Sequence, residues 1–150
     1  MKEKFNIAII GAGRIAEHHL KAIQKIKNFR LTAICDLNYN KAISFSKKYN
    51  VPYYLDYNEM LKKLKNIKIV AIMTPSGCHY EHCKDIITKY KKHLIVEKPT
   101  FLRPSHVNEI YDLADKYKVK IFPVFQNRFN KSIKKIKNEI ITKKIGKINI

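Results

Sequence analysis

The chain alternates short apolar runs with stretches in which apolar residues recur every three or four positions. Continuous apolar runs are typical of strands buried on both faces of a parallel sheet, and the stretches between them predict helices. The predicted strands are 5–10, 31–35, 51–55, 67–73, 93–96 and 121–125. This alternation predicts an α/β fold with a doubly wound parallel sheet of order 3-2-1-4-5-6. Because Pro123 cannot donate to a ladder, the sixth strand should lie at the sheet edge or carry a bulge.

The first predicted strand runs directly into a glycine-rich turn at residues 11–16, Gly-Ala-Gly-Arg-Ile-Ala, which opens a helical pattern. In this context Gly11 permits a tight turn, Gly13 allows close approach of a pyrophosphate, and the small Ala16 lets the helix pack near the strand. The N–H groups at the helix start would then meet the phosphates. The turn therefore predicts dinucleotide binding on a Rossmann fold. The alternative is a glycine-rich turn that binds nothing.

Asp36 ends the second predicted strand, 23 residues beyond Gly13. A carboxylate at this place can accept hydrogen bonds from the adenosine ribose hydroxyls and would repel a 2′-phosphate. We therefore expect NAD rather than NADP as the cofactor, with Lys41 as the near cation that could complicate this choice. The alternative is a simple turn residue at a strand end.

The fifth predicted strand ends in Glu97-Lys98-Pro99, which places two ionisable residues at the carboxyl edge of the sheet. A half-desolvated lysine beside an oxidised nicotinamide suits acid/base catalysis at neutral pH, and Glu97 could orient it. The alternative is an ion pair that closes a loop.

A final helix is predicted after Asn130, a residue that can cap it. Its apolar positions, Ile133, Ile136 and Ile140, are expected to face the core, and Gly146 is expected to end it. Residues 147–150 then begin what reads as a new strand.

The segment Cys78-His79-Tyr80-Glu81-His82-Cys83 carries four potential zinc ligands. Helical spacing, however, puts Cys83 in an apolar stripe that points into the core, and zinc sites normally use well separated ligand pairs. We therefore expect no metal. Three cysteines without a signal peptide favour a reducing cytoplasm over a disulfide framework.

The formal net charge of +19 would ordinarily suggest an anionic partner. Of the 31 basic residues, however, 27 are lysines spread over every predicted helix. We interpret them as solvated faces and expect no nucleic-acid partner. No apolar run is long enough to span a bilayer, so we expect no membrane partner either.

Taken together, the glycine turn, Thr74-Pro75-Ser76-Gly77, Glu97-Lys98-Pro99 and Gln126-Asn127-Arg128 resemble the N-terminal domain of the Gfo/Idh/MocA oxidoreductase family. The resemblance covers essentially the whole chain. It is strongest to the branch that oxidises the 3-hydroxyl of UDP-N-acetylglucosaminuronate. It implies an NAD-dependent dehydrogenase acting on a sugar or nucleotide sugar.

The resemblance also implies roles for particular residues. Those expected to bind the cofactor are Gly11, Gly13, Arg14 and Ile15 at the pyrophosphate, Asp36 at the adenosine ribose, and Thr74, Pro75, His79 and Glu97 on the nicotinamide-ribose side. Lys98 would be the catalytic lysine that touches the hydroxyl being oxidised, with a cis Lys98–Pro99 peptide as a further expectation. Asn127 and Arg128, together with Lys98, would face the substrate, where a guanidinium suits a carboxylate or phosphate.

In this family a C-terminal α/β domain supplies most of the substrate pocket, a catalytic histidine and often the oligomer interface. We therefore expect residues 1–144 to form the NAD-binding domain and residues 145–150 to begin a second domain. The isolated chain should bind NAD with little or no turnover, and the longer protein should form a homo-oligomer through the second domain. The alternative is a non-catalytic module that binds NAD or nucleic acid.

Overall fold

The computed structural model describes residues 4–146, which form a six-stranded, wholly parallel sheet with helices on both faces. The strands are β1 (Phe5–Ile10), β2 (Phe29–Cys35), β3 (Tyr53–Tyr54), β4 (Ile69–Ile72), β5 (His93–Val96) and β6 (Ile121–Pro123). Their order, β3-β2-β1-β4-β5-β6, confirms the predicted Rossmann fold. Strands β3, β4 and β6 are shorter than the strands predicted from the sequence.

Among residues 4–146, five α-helices connect the strands and a sixth follows β6. They are α1 (Arg14–Lys25), α2 (Tyr39–Tyr49), α3 (Tyr57–Lys63), α4 (His79–Asp85), α5 (Pro104–Lys116) and α6 (Lys131–Ile141). A 3₁₀ turn at Ser76–Cys78 precedes α4, which continues as a π-helical turn at Ile86–Tyr90. Asn130 caps α6 as predicted, and Asp56 caps α3 in the same way, because each side chain accepts the N–H two residues later.

The sheet separates two hydrophobic cores, as β1 illustrates. Ala8 and Ile10 pack into the core on one face, whereas Ile7 and Ile9 pack into the core on the other. Burial of each isoleucine contributes roughly 1.5–3 kcal/mol of transfer free energy. Alternate side chains of one continuous apolar strand therefore hold helices on both sides.

The carboxyl end of β1 lies at the point where the strand order reverses, because β2 and β4 flank it. Gly11 N–H donates to the Cys35 carbonyl at 2.7 Å, and Met73 N–H donates to the Ile10 carbonyl at 2.8 Å. In open α/β sheets the helices that leave this point on opposite faces create a crevice for a ligand.

Helix α6 departs from the prediction. The three isoleucines that were expected to face the core, Ile133, Ile136 and Ile140, are 45%, 51% and 37% exposed, and α6 contains no buried residue. The reason is topological: α6 follows the edge strand β6, and within residues 4–146 its main contact is the 3₁₀ turn Gln126–Phe129. The helix also ends at Ile141, before Gly146, which adopts a positive φ of 73°.

Other predictions about the sheet edge and the core are confirmed. Strand β6, which contains Pro123, is an edge strand, and Cys83 is fully buried. The predicted strand at residues 147–150 lies outside the described residues. None of the helices within residues 4–146 combines the length and apolar character that a membrane crossing requires.

Candidate functional site

The glycine turn after β1 depends on a close backbone approach at Gly11. This residue has φ +98°, and a Cβ placed on it would lie 2.7 Å from both the carbonyl carbon and oxygen of Met73. No L side chain fits such a contact, and the positive φ adds strain for any residue other than glycine. Gly11 therefore lets the ends of β1 and β4 meet.

Gly13 differs from Gly11, because no neighbouring backbone lies where its Cβ would be. A Cβ at Gly13 would find no atom within 4 Å, and its φ of −88° is ordinary. Gly13 also precedes α1 without a side-chain cap, which leaves N–H groups of the first helical turn available to an anion. An open cradle at a helix N-terminus fits the pyrophosphate of a dinucleotide.

Asp36 connects the glycine turn to the end of β2. Its Oδ2 accepts the N–H of Ala12 at 2.7 Å, and its Oδ1 accepts the N–H of Asn38 at 2.8 Å. An ionised carboxylate has about four acceptor positions, so two remain for ribose hydroxyls. Asp36 thus fits the expected ribose site and also braces the turn itself, which the sequence did not indicate.

Two adjoining cavities run along the carboxyl edge of the sheet. The first, of about 660 Å³, is lined among others by Gly11, Gly13 and Asp36. The second, of about 580 Å³, is lined by Arg14, Ile15, His18, Thr74, Glu97 and Lys98. Arg14, Ile15 and Thr74 line both cavities, so the two form one groove from Asp36 to Lys98.

Helix α4 carries two histidines in different surroundings. His79 is 1% exposed and lines neither cavity. Its Nε2 is 2.8 Å from the Thr74 carbonyl, and its Nδ1 is 3.0 Å from the Pro99 carbonyl. It thereby ties the end of β4 to the turn after β5. His82 lines the first cavity instead and lies 3.0 Å from the Thr74 hydroxyl. Burial lowers the pKa of His82 below its usual value.

From the sequence His82 was expected only as a potential zinc ligand, and its place in the groove was not predicted. A signal was available, since residues four positions apart on a helix share a face and Cys78, at the start of this helix, lies at the carboxyl edge of the sheet. Within residues 4–146 there is no group of three or more His, Cys, Asp or Glu side chains that could hold a metal ion. Pro75 and Cys78 also line the first cavity.

Glu97 and Lys98 both line the second cavity, and the Lys98–Pro99 peptide is cis, as expected. Glu97 contacts the main chain of the lysine, because its Oε2 accepts the Lys98 backbone N–H at 2.9 Å. Its Oε1 lies 2.7 Å from Nε2 of His19 on α1. His19 was missed by the sequence argument, although its position falls within the buried stripe of α1 formed by Ala16, Leu20 and Ile23.

Asn127 and Arg128 are not brought to the groove by residues 4–146. They lie in the exposed 3₁₀ turn after β6 and line neither cavity. The Arg128 guanidinium instead stacks over the Phe125 ring, 5.4 Å from its centroid. Their expected contact with a substrate therefore stays a prediction.

Comparison with known proteins gives the same picture of a cofactor domain. A protein family described as oxidoreductases with an NAD-binding Rossmann fold matches residues 5–125. The chain is 32% identical to a Bacillus subtilis glucose-6-phosphate 3-dehydrogenase over 142 residues, which are 95% of this chain and 39% of that protein.

Solved structures agree. The WlbA dehydrogenase of Bordetella pertussis, in complex with NADH and UDP-GlcNAcA, superposes with a TM-score of 0.90 at 26% identity, covering 99% of this chain and 42% of that one. Lactobacillus casei scyllo-inositol dehydrogenase with bound NAD(H) and scyllo-inositol superposes with a TM-score of 0.87, also at 26% identity, covering 97% and 43%. The chain thus spans less than half the length of these relatives.

Proposed function

The chain belongs to the Gfo/Idh/MocA family of oxidoreductases, and on that premise we propose that it is the cofactor half of a sugar dehydrogenase. The family resemblance and NAD as the cofactor are confirmed by the family match and by relatives crystallised with NADH or NAD(H). The proposed reaction transfers a hydride from a hydroxyl-bearing carbon of a sugar or nucleotide sugar to NAD.

The continuity of the groove from Asp36 to Lys98 supports this proposal more than any other observation. With the adenosine ribose at Asp36 and the pyrophosphate over Gly13, the remaining length of NAD extends past Thr74 towards Glu97. The nicotinamide end then lies in the second cavity beside Lys98. An acid/base group and a hydride acceptor thereby share one space, as alcohol oxidation requires.

The chemistry assigned to Lys98 is proton transfer. NAD supplies the hydride acceptor, and the hydroxyl proton moves to the Lys98 amine as the carbonyl forms. The Lys98 N–H donates to the Glu97 carboxylate, and the Pro99 carbonyl lies 3.0 Å from Nδ1 of His79, so the turn is held from both sides. A positioned base of this kind typically contributes 10²–10⁴-fold to rate.

The proposed substrate is a UDP-N-acetyl-hexuronate oxidised at its 3-hydroxyl. Two relatives support an anionic sugar, since one is named for glucose 6-phosphate and another was crystallised with UDP-GlcNAcA. Arg128, with Asn127 beside it, is the proposed partner for a carboxylate or phosphate once a second domain closes over the groove. That domain, by proposal, also supplies the homo-oligomer interface.

The location proposed for the protein is the cytoplasm. All three cysteines are free thiols, with Cys35 and Cys83 buried and Cys78 exposed. Thiols that stay unpaired suit a reducing compartment.

The test is calorimetric titration of the folded chain with NAD. We expect saturable binding at or below millimolar cofactor. Absence of detectable binding at that concentration, with folding verified by circular dichroism, would overturn the proposal. A panel of sugars and nucleotide sugars, followed through NADH absorbance in a form that carries a second domain, then tests the substrate. Turnover of neutral sugars alone would contradict the anionic assignment.

A further inference from the structure

A side-chain contact beside the second cavity joins His19 on α1 to Glu97 after β5. Their atoms Nε2 and Oε1 are 2.7 Å apart, and the Glu97 side chain is only 8% exposed. The second carboxylate oxygen accepts the Lys98 N–H at 2.9 Å. Each oxygen of this nearly buried carboxylate therefore has a donor, as an ionised group removed from water requires.

This contact links the helix that begins at the expected pyrophosphate site to the residue that precedes the proposed catalytic lysine. His19 lies on α1, whose first turn holds the expected pyrophosphate site, and Glu97 lies immediately before Lys98. Without the His19 N–H, one oxygen of Glu97 would lack a partner. The side chain would then turn towards solvent, because an unpaired buried charge is costly.

The charge of Glu97 matters because of what surrounds it. Arg14 and Lys98 line the same cavity, as does His18, and among the described residues Glu97 is the one carboxylate there. Oxidised nicotinamide carries a positive charge and reduced nicotinamide does not. A cavity that held the fixed cation Arg14 and no carboxylate would therefore favour NADH, whereas a fixed carboxylate compensates for the positive charge of NAD⁺.

We propose that His19 is a positioning residue that holds the Glu97 carboxylate at the nicotinamide end of the groove, where its charge favours the oxidised cofactor over the reduced one. This inference rests on the proposed function, because it requires NAD in the groove. His19 itself does not line the cavity and acts through Glu97. It therefore adds a determinant of cofactor redox preference to the site.

The experiment measures dissociation constants for NAD⁺ and NADH separately, by calorimetry and by NADH fluorescence. His19→Leu removes the donor and should weaken NAD⁺ about tenfold relative to NADH. His19→Gln, whose amide N–H reaches nearly as far as Nε2, should restore the wild-type ratio. Glu97→Gln keeps the shape, removes the charge and should reproduce the shifted ratio. His106→Leu, on α5 and stacked on Tyr80, is the control histidine and should leave the ratio unchanged.

The possible outcomes separate the two proposals. Wild-type binding of NAD⁺ with an unchanged ratio in His19→Leu would overturn this inference alone, and equal weakening of both cofactors would show a purely structural role. Failure of the wild-type chain to bind either cofactor would overturn the proposed function as well. If His19→Leu does not fold, an unchanged ratio in Glu97→Gln would decide against the inference.

Discussion

The same substitution should have different effects at the two glycines of the phosphate turn: alanine should lower stability at Gly11 and cofactor affinity at Gly13. Gly11→Ala forces a Cβ to within 2.7 Å of the Met73 carbonyl and imposes an L side chain on φ +98°. Gly13→Ala adds a Cβ with no atom within 4 Å, at φ −88° and ψ −175°. One change disrupts the fold, and the other only fills the cradle.

The magnitudes follow from these contacts. At Gly11 the positive φ costs about 1–3 kcal/mol and the forced movement of β4 about 1–3 kcal/mol, so the sum is on the order of 4 kcal/mol. For a chain of this length that lowers Tm by about 10 °C. At Gly13 the reduced entropy of the unfolded chain gains about 0.4–1 kcal/mol, which roughly offsets the poorer capping by alanine.

Thermal unfolding and NAD titration distinguish the two variants. We expect Gly11→Ala to unfold well below the wild type, and Gly13→Ala to unfold within a few degrees of it while binding NAD at least about tenfold more weakly. Undiminished NAD affinity in Gly13→Ala would refute a pyrophosphate over this residue. A wild-type Tm for Gly11→Ala would refute the close approach of β1 and β4.

Three further predictions concern other parts of the molecule. Asp36→Ala should weaken NAD binding more than NADP binding in parallel titrations, and equal losses for both cofactors would contradict the ribose assignment. The same variant should lower the free energy of unfolding by about 1 kcal/mol, because the Ala12 N–H loses its acceptor. Burial raises the pKa of Cys35 and of Cys83 to about 12, so at pH 8 only Cys78 should react quickly with a thiol reagent. NAD should slow that reaction because Cys78 lines the first cavity. Rapid labelling of all three thiols would disprove this prediction. Filter binding at about 0.15 M salt should retain no RNA or DNA, since dispersed lysines bind only weakly at that ionic strength; retention there would restore the nucleic-acid alternative.

The local parts of the site were predictable because each depends on residues that are neighbours in sequence. Gly11, Gly13 and Asp36 all follow strands, and parallel strands bring their carboxyl ends to one edge of the sheet. Knowledge of the strand order was therefore enough to place these residues together with Lys98. The second role of Asp36, as an acceptor for Ala12, was not predictable because it depends on where a backbone N–H points.

Periodicity predicted which face of a helix is apolar but not what covers that face. Helix α1 and helix α6 show similar apolar stripes, yet Leu20 is fully buried and Ile136 is half exposed. The difference arises because α1 returns across the central strands of the sheet, whereas α6 leaves from its edge. Burial is a property of the neighbours, and for α6 the described residues provide few of them.

By itself the sequence determined the order of strands and helices, the phosphate turn and the cofactor, since spacing and residue type within short segments are sufficient for each of these. The tertiary structure alone decided that Glu97 meets His19, 78 residues away, and that His79 turns inward while His82 faces the groove. The physical reason is that a hydrogen bond forms within about 3 Å. Such distances between remote segments are set by packing of the whole sheet, which no local pattern contains.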